Sequence, residues 1–196
     1  MPETVPKIIL ASTSPRRSEL LKQIGVEFEL ASGNVQERPH RDEAPPDYIT
    51  RVARAKVIAV ARQNESGLII GADTVVVLDG QLLGKPEDEA DAERMLKRLS
   101  GRWHAVMTGV ALYDVATRHE VADFDKTLVK FARLTDREIE WYIKTGEPMD
   151  KAGAYGLQGL GGLFVDEIAG NYYNVVGLPL PLVYRLARRL GYSFVK

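Results

Sequence analysis

At 196 residues, 45% hydrophobic and 27% charged, the chain is long enough for one sizeable core, or for two lobes sharing a sheet, with an ordinary soluble balance. Its 26 basic and 27 acidic residues leave a net charge of -1, which excludes an overall field able to hold a nucleic-acid polymer or an anionic membrane, so phosphate binding has to be local. The absence of cysteine excludes disulfides, thiolate metal sites and a cysteine nucleophile. The opening MPETVPK lacks a basic start followed by an apolar core, and no uncharged run approaches a membrane span; a cytoplasmic protein is expected, with residues 1–196 forming one domain.

Lys7 to Ala11 reads as a short strand. Ser12-Thr13-Ser14-Pro15 then opens a helix, with Ser14 as N-cap and Pro15 at the first helical position. Leu20, Leu21 and Ile24 form its buried stripe and Gly25 ends it. Arg16 and Arg17 stand in the first turn, against the positive end of the helix dipole, at a cost of about 0.3–1 kcal/mol each when exposed. A bound anion would reverse that sign: backbone N–H groups, the hydroxyls of Ser12, Thr13 and Ser14, and two guanidinium forks describe a phosphate cradle. Pairing of the arginines with Glu19 or another acid, or simple solvation, is the competing reading.

A second strand spans Glu27 to Ala31 and leads into a polar loop that carries Asn34 to Arg38. A helix from about Pro46 to Gln63 follows, its apolar stripe made of Ile49, Val52, Ala53, Val57 and Val60. Lys56 falls on the edge of that stripe, facing the body of the protein, whereas Arg51, Arg54 and Arg62 need only solvent.

Gly71 to Lys85, GADTVVVLDGQLLGK, organises the chain. Apolar β-branched runs flank Asp73 and Thr74, and a carboxylate in such a setting is costly unless paired. Asp79-Gly80 is a two-residue hairpin turn that returns Leu82-Leu83 alongside and brings Lys85 to the same end of the sheet as Asp73. A strand-end Asp capping a turn, with Lys85 an ordinary loop lysine, is the alternative.

Asp88 starts a third helix with Asp91 completing a capping box, and Gly101 stops it. Arg102 to Tyr113 and His119 to Phe131 read as two long strands, with His104 on the strand surface. Thr135 to Glu138 is a capping box for a helix that Gly146 closes. From Gly146 to Gly162, six of the chain's 17 glycines accompany Asp150, Lys151, Tyr155 and Gln158. Gln158 offers a donor and an acceptor on one planar group, suited to a base edge on which Tyr155 could stack. Neither a P-loop nor a dinucleotide fingerprint occurs. A strand from Leu163 to Ile168 and a helix from Pro179 to Leu190 end the chain.

Ser12-Thr13-Ser14-Pro15-Arg16-Arg17, Gly71-Ala72-Asp73-Thr74, Leu83-Gly84-Lys85-Pro86, Leu99-Ser100-Gly101, and Asp150-Lys151-Ala152-Gly153-Ala154-Tyr155-Gly156 with Gln158-Gly159 occur in the order of the Maf family of nucleoside triphosphate pyrophosphatases, which the chain resembles. The resemblance covers essentially the whole chain. It implies an α/β fold, Maf/ITPase-like, of two lobes around an extended mixed sheet with flanking helices and the active-site cleft between the lobes, and often a homodimer. Arg16, Thr74 and Gln158 resemble the specificity positions of the branch that acts on dTTP and UTP; the sister branch acts on 7-methyl-GTP. By the same resemblance Asp73 is the proton acceptor, and Glu37, Lys56 and Lys85 match positions for metal and phosphate handling. Gln36 stands where many relatives have a second glutamate, which leaves the number of metal carboxylates open. The implied cofactor is a divalent cation, Mg²⁺ or Mn²⁺, held by Glu37 and Asp73, and the implied substrate-binding set is Ser12, Arg16, Arg17, Lys56, Thr74, Lys85 and Gln158. The products would be a nucleoside monophosphate and pyrophosphate. Hydrolysis of a modified purine triphosphate, or a nucleotide-binding role in cell division and septum formation, are the alternatives.

Overall fold

Short β-branched runs alternating with amphipathic helical stretches give this chain an α/β architecture. The computed structural model describes residues 7–194; the reading of the N-terminal leader at residues 1–6 and the last two residues of the expected domain lie outside them. The strands are β1 (Ile8–Ala11), β2 (Glu29–Ala31), β3 (Leu68–Leu78), β4 (Gln81–Leu83), β5 (Trp103–Asp114), β6 (His119–Phe131) and β7 (Val165–Ala169). The helices are α1 (Pro15–Gln23), α2 (Pro45–Ala61), α3 (Glu89–Leu99), α4 (Asp136–Lys144), α5 (Tyr172–Val176) and α6 (Leu180–Arg189). The sheet is mixed and seven-stranded, in the order β2-β1-β3-β5-β6-β7 with β4 paired to β3. β1 runs parallel to both β2 and β3, whereas β3–β4 and β6–β7 are antiparallel. Among the described residues, no helix is long and apolar enough to cross a membrane.

The chain divides into two compact units. The first takes residues up to Asp73, Thr108–Asp125 and the segment from Gly177 onward; the second takes Thr74–Met107 and Lys126–Val176. β3, β5 and β6 each pass from one unit to the other along their length. In the first unit, Ile9, Ala53, Val57, Val60, Ile69 and Ala111 pack into one cluster, with α2 laid on β1, β3 and β5. Each large aliphatic side chain so buried contributes roughly 1.5–3 kcal/mol relative to exposure.

Two glycines set how low α2 sits. A Cβ on Gly71 of β3 would meet Val57 Cγ1 at 2.7 Å and the Ala53 carbonyl at 3.0 Å, and one on Gly109 of β5 would meet the Ile49 carbonyl oxygen at 2.5 Å and the Thr50 nitrogen at 2.8 Å. Ile49, Ala53 and Val57 are spaced i, i+4, i+8, so one ridge of α2 rests on bare strand backbone.

In the second unit, α3, α4 and the glycine-rich segment enclose Val76, Leu96, Phe131, Tyr142, Tyr155 and Phe164. Local signals act as expected: Asp88 accepts from the Asp91 N–H at the start of α3, and Thr135 with Glu138 closes a capping box on α4. Asp79 and Gly80 both have positive φ, as a type I′ hairpin turn requires.

Candidate active site

The first unit gathers most of the expected residues around the end of β1 and the middle of β3. β1 delivers Ser12, which is buried, and α1 begins three residues on. Ser12 Oγ accepts from the Ser14 backbone N–H at 3.1 Å and from Arg17 Nη1 at 3.3 Å. The cap role expected of the Ser14 hydroxyl is not taken up; its backbone is spent on the Ser12 turn instead. Arg17 also donates through Nε to the Gly177 carbonyl at 2.8 Å, which ties the phosphate-cradle candidate to the chain just before α6. Burial pushes the Arg17 guanidinium down from its ordinary value; the neighbouring charge of Asp73 acts against that shift and Arg16 adds to it. Arg16 itself is half-buried in the first turn of α1.

Asp73 lies on β3 with its side chain 9% exposed, and Lys56 reaches it from α2 with 13% exposed. Lys56 Nζ donates to Asp73 Oδ1 at 2.8 Å and to the Ala72 carbonyl at 3.4 Å, and pairs with Glu37 Oε1 at 2.9 Å. One ammonium thus draws together two carboxylates from separate segments, the more exposed one from the polar loop. The buried carboxylate of a β-branched strand has found the partner its setting demands.

Two groups near this cluster escaped the sequence reading. Tyr48, two turns before Lys56 on α2, is buried. Burial first, and then the negative charges of Asp73 and Glu37, push its phenol up to about 12. Arg51, expected to be merely solvated, is a clamp. Its Nε and Nη2 bind both oxygens of Glu43 at 2.6 and 2.7 Å, and Nη2 also donates to the Arg38 carbonyl at 3.0 Å. Glu43 accepts from the His40 N–H as well, so one bidentate pair fastens the loop that carries Glu37 onto α2. Arg54 likewise pairs, with Glu120 at 3.2 Å. A loop acid eight residues before an arginine carries no helix-periodic signal, which is why sequence spacing missed the clamp.

The second unit holds Thr74, Lys85 and Gln158. Thr74 directly follows Asp73 on β3, Lys85 is exposed just after β4, and Gln158 is exposed in the glycine-rich segment, which is built of short 3-10 turns. Tyr155 differs from expectation: it is 6% exposed, its hydroxyl 2.8 Å from His104 Nε2 and its ring edge-on to Phe131, so it supports the segment from inside. His104 is likewise buried and Trp103 exposed; β5 is buried without alternation from His104 to Leu112, so the expected surface histidine lies inside, edge-on to Phe131 and Tyr155. Burial pushes the His104 imidazole down to about 4.

The chain matches the family model for Maf-like protein over residues 7–190. It belongs to the Maf family. Curated relatives of this Maf chain named dTTP/UTP pyrophosphatase include those of Dictyoglomus turgidum, 50% identical over 96% of this chain and 98% of the relative, and of Geotalea uraniireducens, 52% identical over 94% and 95%. That of Symbiobacterium thermophilum is 48% identical over 95% of both chains. Among solved structures, the Staphylococcus aureus Ham1 protein is similar at 15% identity and a TM-score of 0.47, over 64% of this chain and 72% of that one.

The Maf chain's donor set suits a hard divalent ion. Glu37 and Asp73 present oxygen anions that already converge on one cation, the Lys56 ammonium. Among the described residues, no group of three or more His, Cys, Asp or Glu could hold a metal ion.

Proposed function

We propose that this chain hydrolyses dTTP and UTP, and modified pyrimidine triphosphates of the same shape, to the nucleoside monophosphate and pyrophosphate. The observation that carries the reading is the Lys56 ammonium joining Asp73 and Glu37 beside a turn where Ser12 and Arg17 converge, in a chain about half identical to relatives named dTTP/UTP pyrophosphatase.

Breaking the α–β anhydride requires neutralising the phosphates, aligning a water and removing its proton. Arg16, Arg17, Lys56 and Lys85 supply positive charge, and Ser12 a hydroxyl. Asp73 accepts the proton of the attacking water at a carboxylate oxygen as the water's oxygen bonds to phosphorus and pyrophosphate departs. Thr74 and Gln158, with Arg16, read the base. Glu37 and Asp73 would hold Mg²⁺ or Mn²⁺, which when bound supplies Lewis-acid charge to the phosphate oxygens. The enzyme would act in the cytoplasm on free nucleotides, alone or as a homodimer.

The test is pyrophosphate release from dTTP, UTP, CTP, GTP and 7-methyl-GTP with Mg²⁺ or Mn²⁺ and with chelator, wild type beside Asp73→Asn. Metal-dependent turnover that favours dTTP and UTP and collapses in the variant supports the reading. Preference for 7-methyl-GTP overturns the base assignment, and silence of folded protein on every nucleotide overturns the enzyme in favour of a binding regulator.

A further inference from the structure

The glycine-rich segment is pinned from both flanks of Gln158 by a hydrogen-bonded relay that starts on α4. Glu147 Oε2 accepts from the Leu160 N–H at 2.9 Å, and Oε1 accepts from the Gly161 N–H at 3.1 Å and from the Tyr142 hydroxyl at 2.8 Å. Tyr142, fully buried on α4, in turn accepts from the Gly156 N–H at 3.1 Å. Lys151 Nζ fixes the backbone of Glu147 itself, donating to its carbonyl at 2.7 Å. The anchored positions are therefore 156, 160 and 161, two before and two and three after Gln158, whose side chain is exposed to solvent between them.

The packing leaves no slack. A Cβ on Gly161 would lie 2.5 Å from the Tyr142 oxygen, and one on Gly159 would overlap the Glu147 carboxylate. The glycines are there to let backbone N–H groups reach these acceptors. Burial alone would raise the Glu147 carboxyl, yet the three bonds it accepts hold it below the ordinary carboxylate range, so it stays ionised as the acceptor the loop needs.

We propose that Glu147, acting through Tyr142 and the Leu160 and Gly161 amides, is a positioning residue that pre-sets the loop so that the Gln158 amide meets the base without an ordering cost. The inference rests on the reading of Gln158 as the base-contacting residue. Pre-ordering a binding loop acts on ground-state affinity and discrimination and leaves the Asp73 and Lys56 chemistry untouched.

The experiment compares Glu147→Gln, Tyr142→Phe, Gln158→Ala and the Glu147→Gln/Gln158→Ala pair with wild type, reading kcat and KM for dTTP, UTP, CTP and GTP and amide hydrogen exchange at Leu160 and Gly161. The amide introduced by Glu147→Gln keeps one acceptor oxygen but sets an NH₂ against a backbone donor, so the expected result is a rise in KM for dTTP of about tenfold, kcat within about threefold, a narrowed preference for dTTP over CTP, and faster exchange at both amides. Tyr142→Phe, which keeps the carboxylate, moves the same quantities less, and the pair loses no more discrimination than Gln158→Ala alone. Wild-type KM and exchange in folded Glu147→Gln and Tyr142→Phe overturn the proposal, as does an equal fall of kcat on every triphosphate. If Gln158→Ala leaves discrimination intact, the reading of Gln158 fails separately.

Discussion

Replacing Lys56 with methionine tests whether the ammonium holds the candidate centre together. At 2.8 Å from Asp73 Oδ1, the Coulomb attraction is about 6 kcal/mol at an effective dielectric of ~20, before either charge has been taken out of water. Most of that offsets desolvation, so the meaningful quantity is the cost of removing one partner: a stranded, 9% exposed carboxylate, typically destabilising by ~3–5 kcal/mol. Arg17 lies close enough for its charge to interact with Asp73, which places the expected loss near ~3 kcal/mol. Asp73→Asn is milder, at ~1–2 kcal/mol, because the amide oxygen still accepts from Lys56 and Glu37 remains as counter-charge. The double variant no longer strands the carboxylate, so its loss falls short of the sum of the two by ~1.5 kcal/mol or more. Urea unfolding of all four proteins in chelator near neutral pH gives the cycle. Additive losses, with a coupling below about 0.5 kcal/mol, would refute the claim that the pair is energetically joined.

Gly109→Ala drives a methyl into the Ile49–Thr50 backbone and is expected to destabilise by about 3 kcal/mol, the upper end for overpacking, as read from the urea midpoint; a loss under ~1 kcal/mol would mean α2 can lift off β5 freely. Glu43 is held by Arg51 down to about 2, below its ordinary value near 4.5, so its contribution is complete above the ordinary value and is lost as pH falls toward 2. The stability gap between wild type and Glu43→Gln should therefore close across that acid window, and a gap constant down to pH 2 would contradict it. Chelation is expected to move the thermal midpoint by no more than about 1 °C, since the Lys56 ammonium already bridges the two carboxylates and offsets one of their two charges; a fall of several degrees by calorimetry would show that the metal, and not the lysine, holds them.

Much of the frame was legible because it rests on local chemistry. The Asp79-Gly80 turn, the Thr135–Glu138 box and the apolar stripe of α2 each follow from spacing over a few residues. Asp73 stood out because a carboxylate amid β-branched residues needs a partner, and the structure supplies Lys56 at the stripe's edge. What stayed hidden depends on contacts remote in sequence or on loop paths. Arg51 and Glu43 meet only once the polar loop folds back, and His104 and Tyr155 are 51 residues apart and become one buried pair. The glycine-rich segment signalled close backbone approach, but not that the approach would be to Glu147 and Tyr142.

The two bare patches under α2 carry a further consequence. Cores usually drift by paired exchange, one side chain growing as its neighbour shrinks. At Gly109 the helix rests on backbone with no second side chain to trade, and at Gly71 trimming Val57 would leave the Ala53 carbonyl still in the way. A change at either strand position is passed undamped to the helix, and with it to the reach of Lys56. Any redesign of this protein has to treat those two hydrogens as fixed dimensions and seek its variation on the faces of α2 turned away from the sheet.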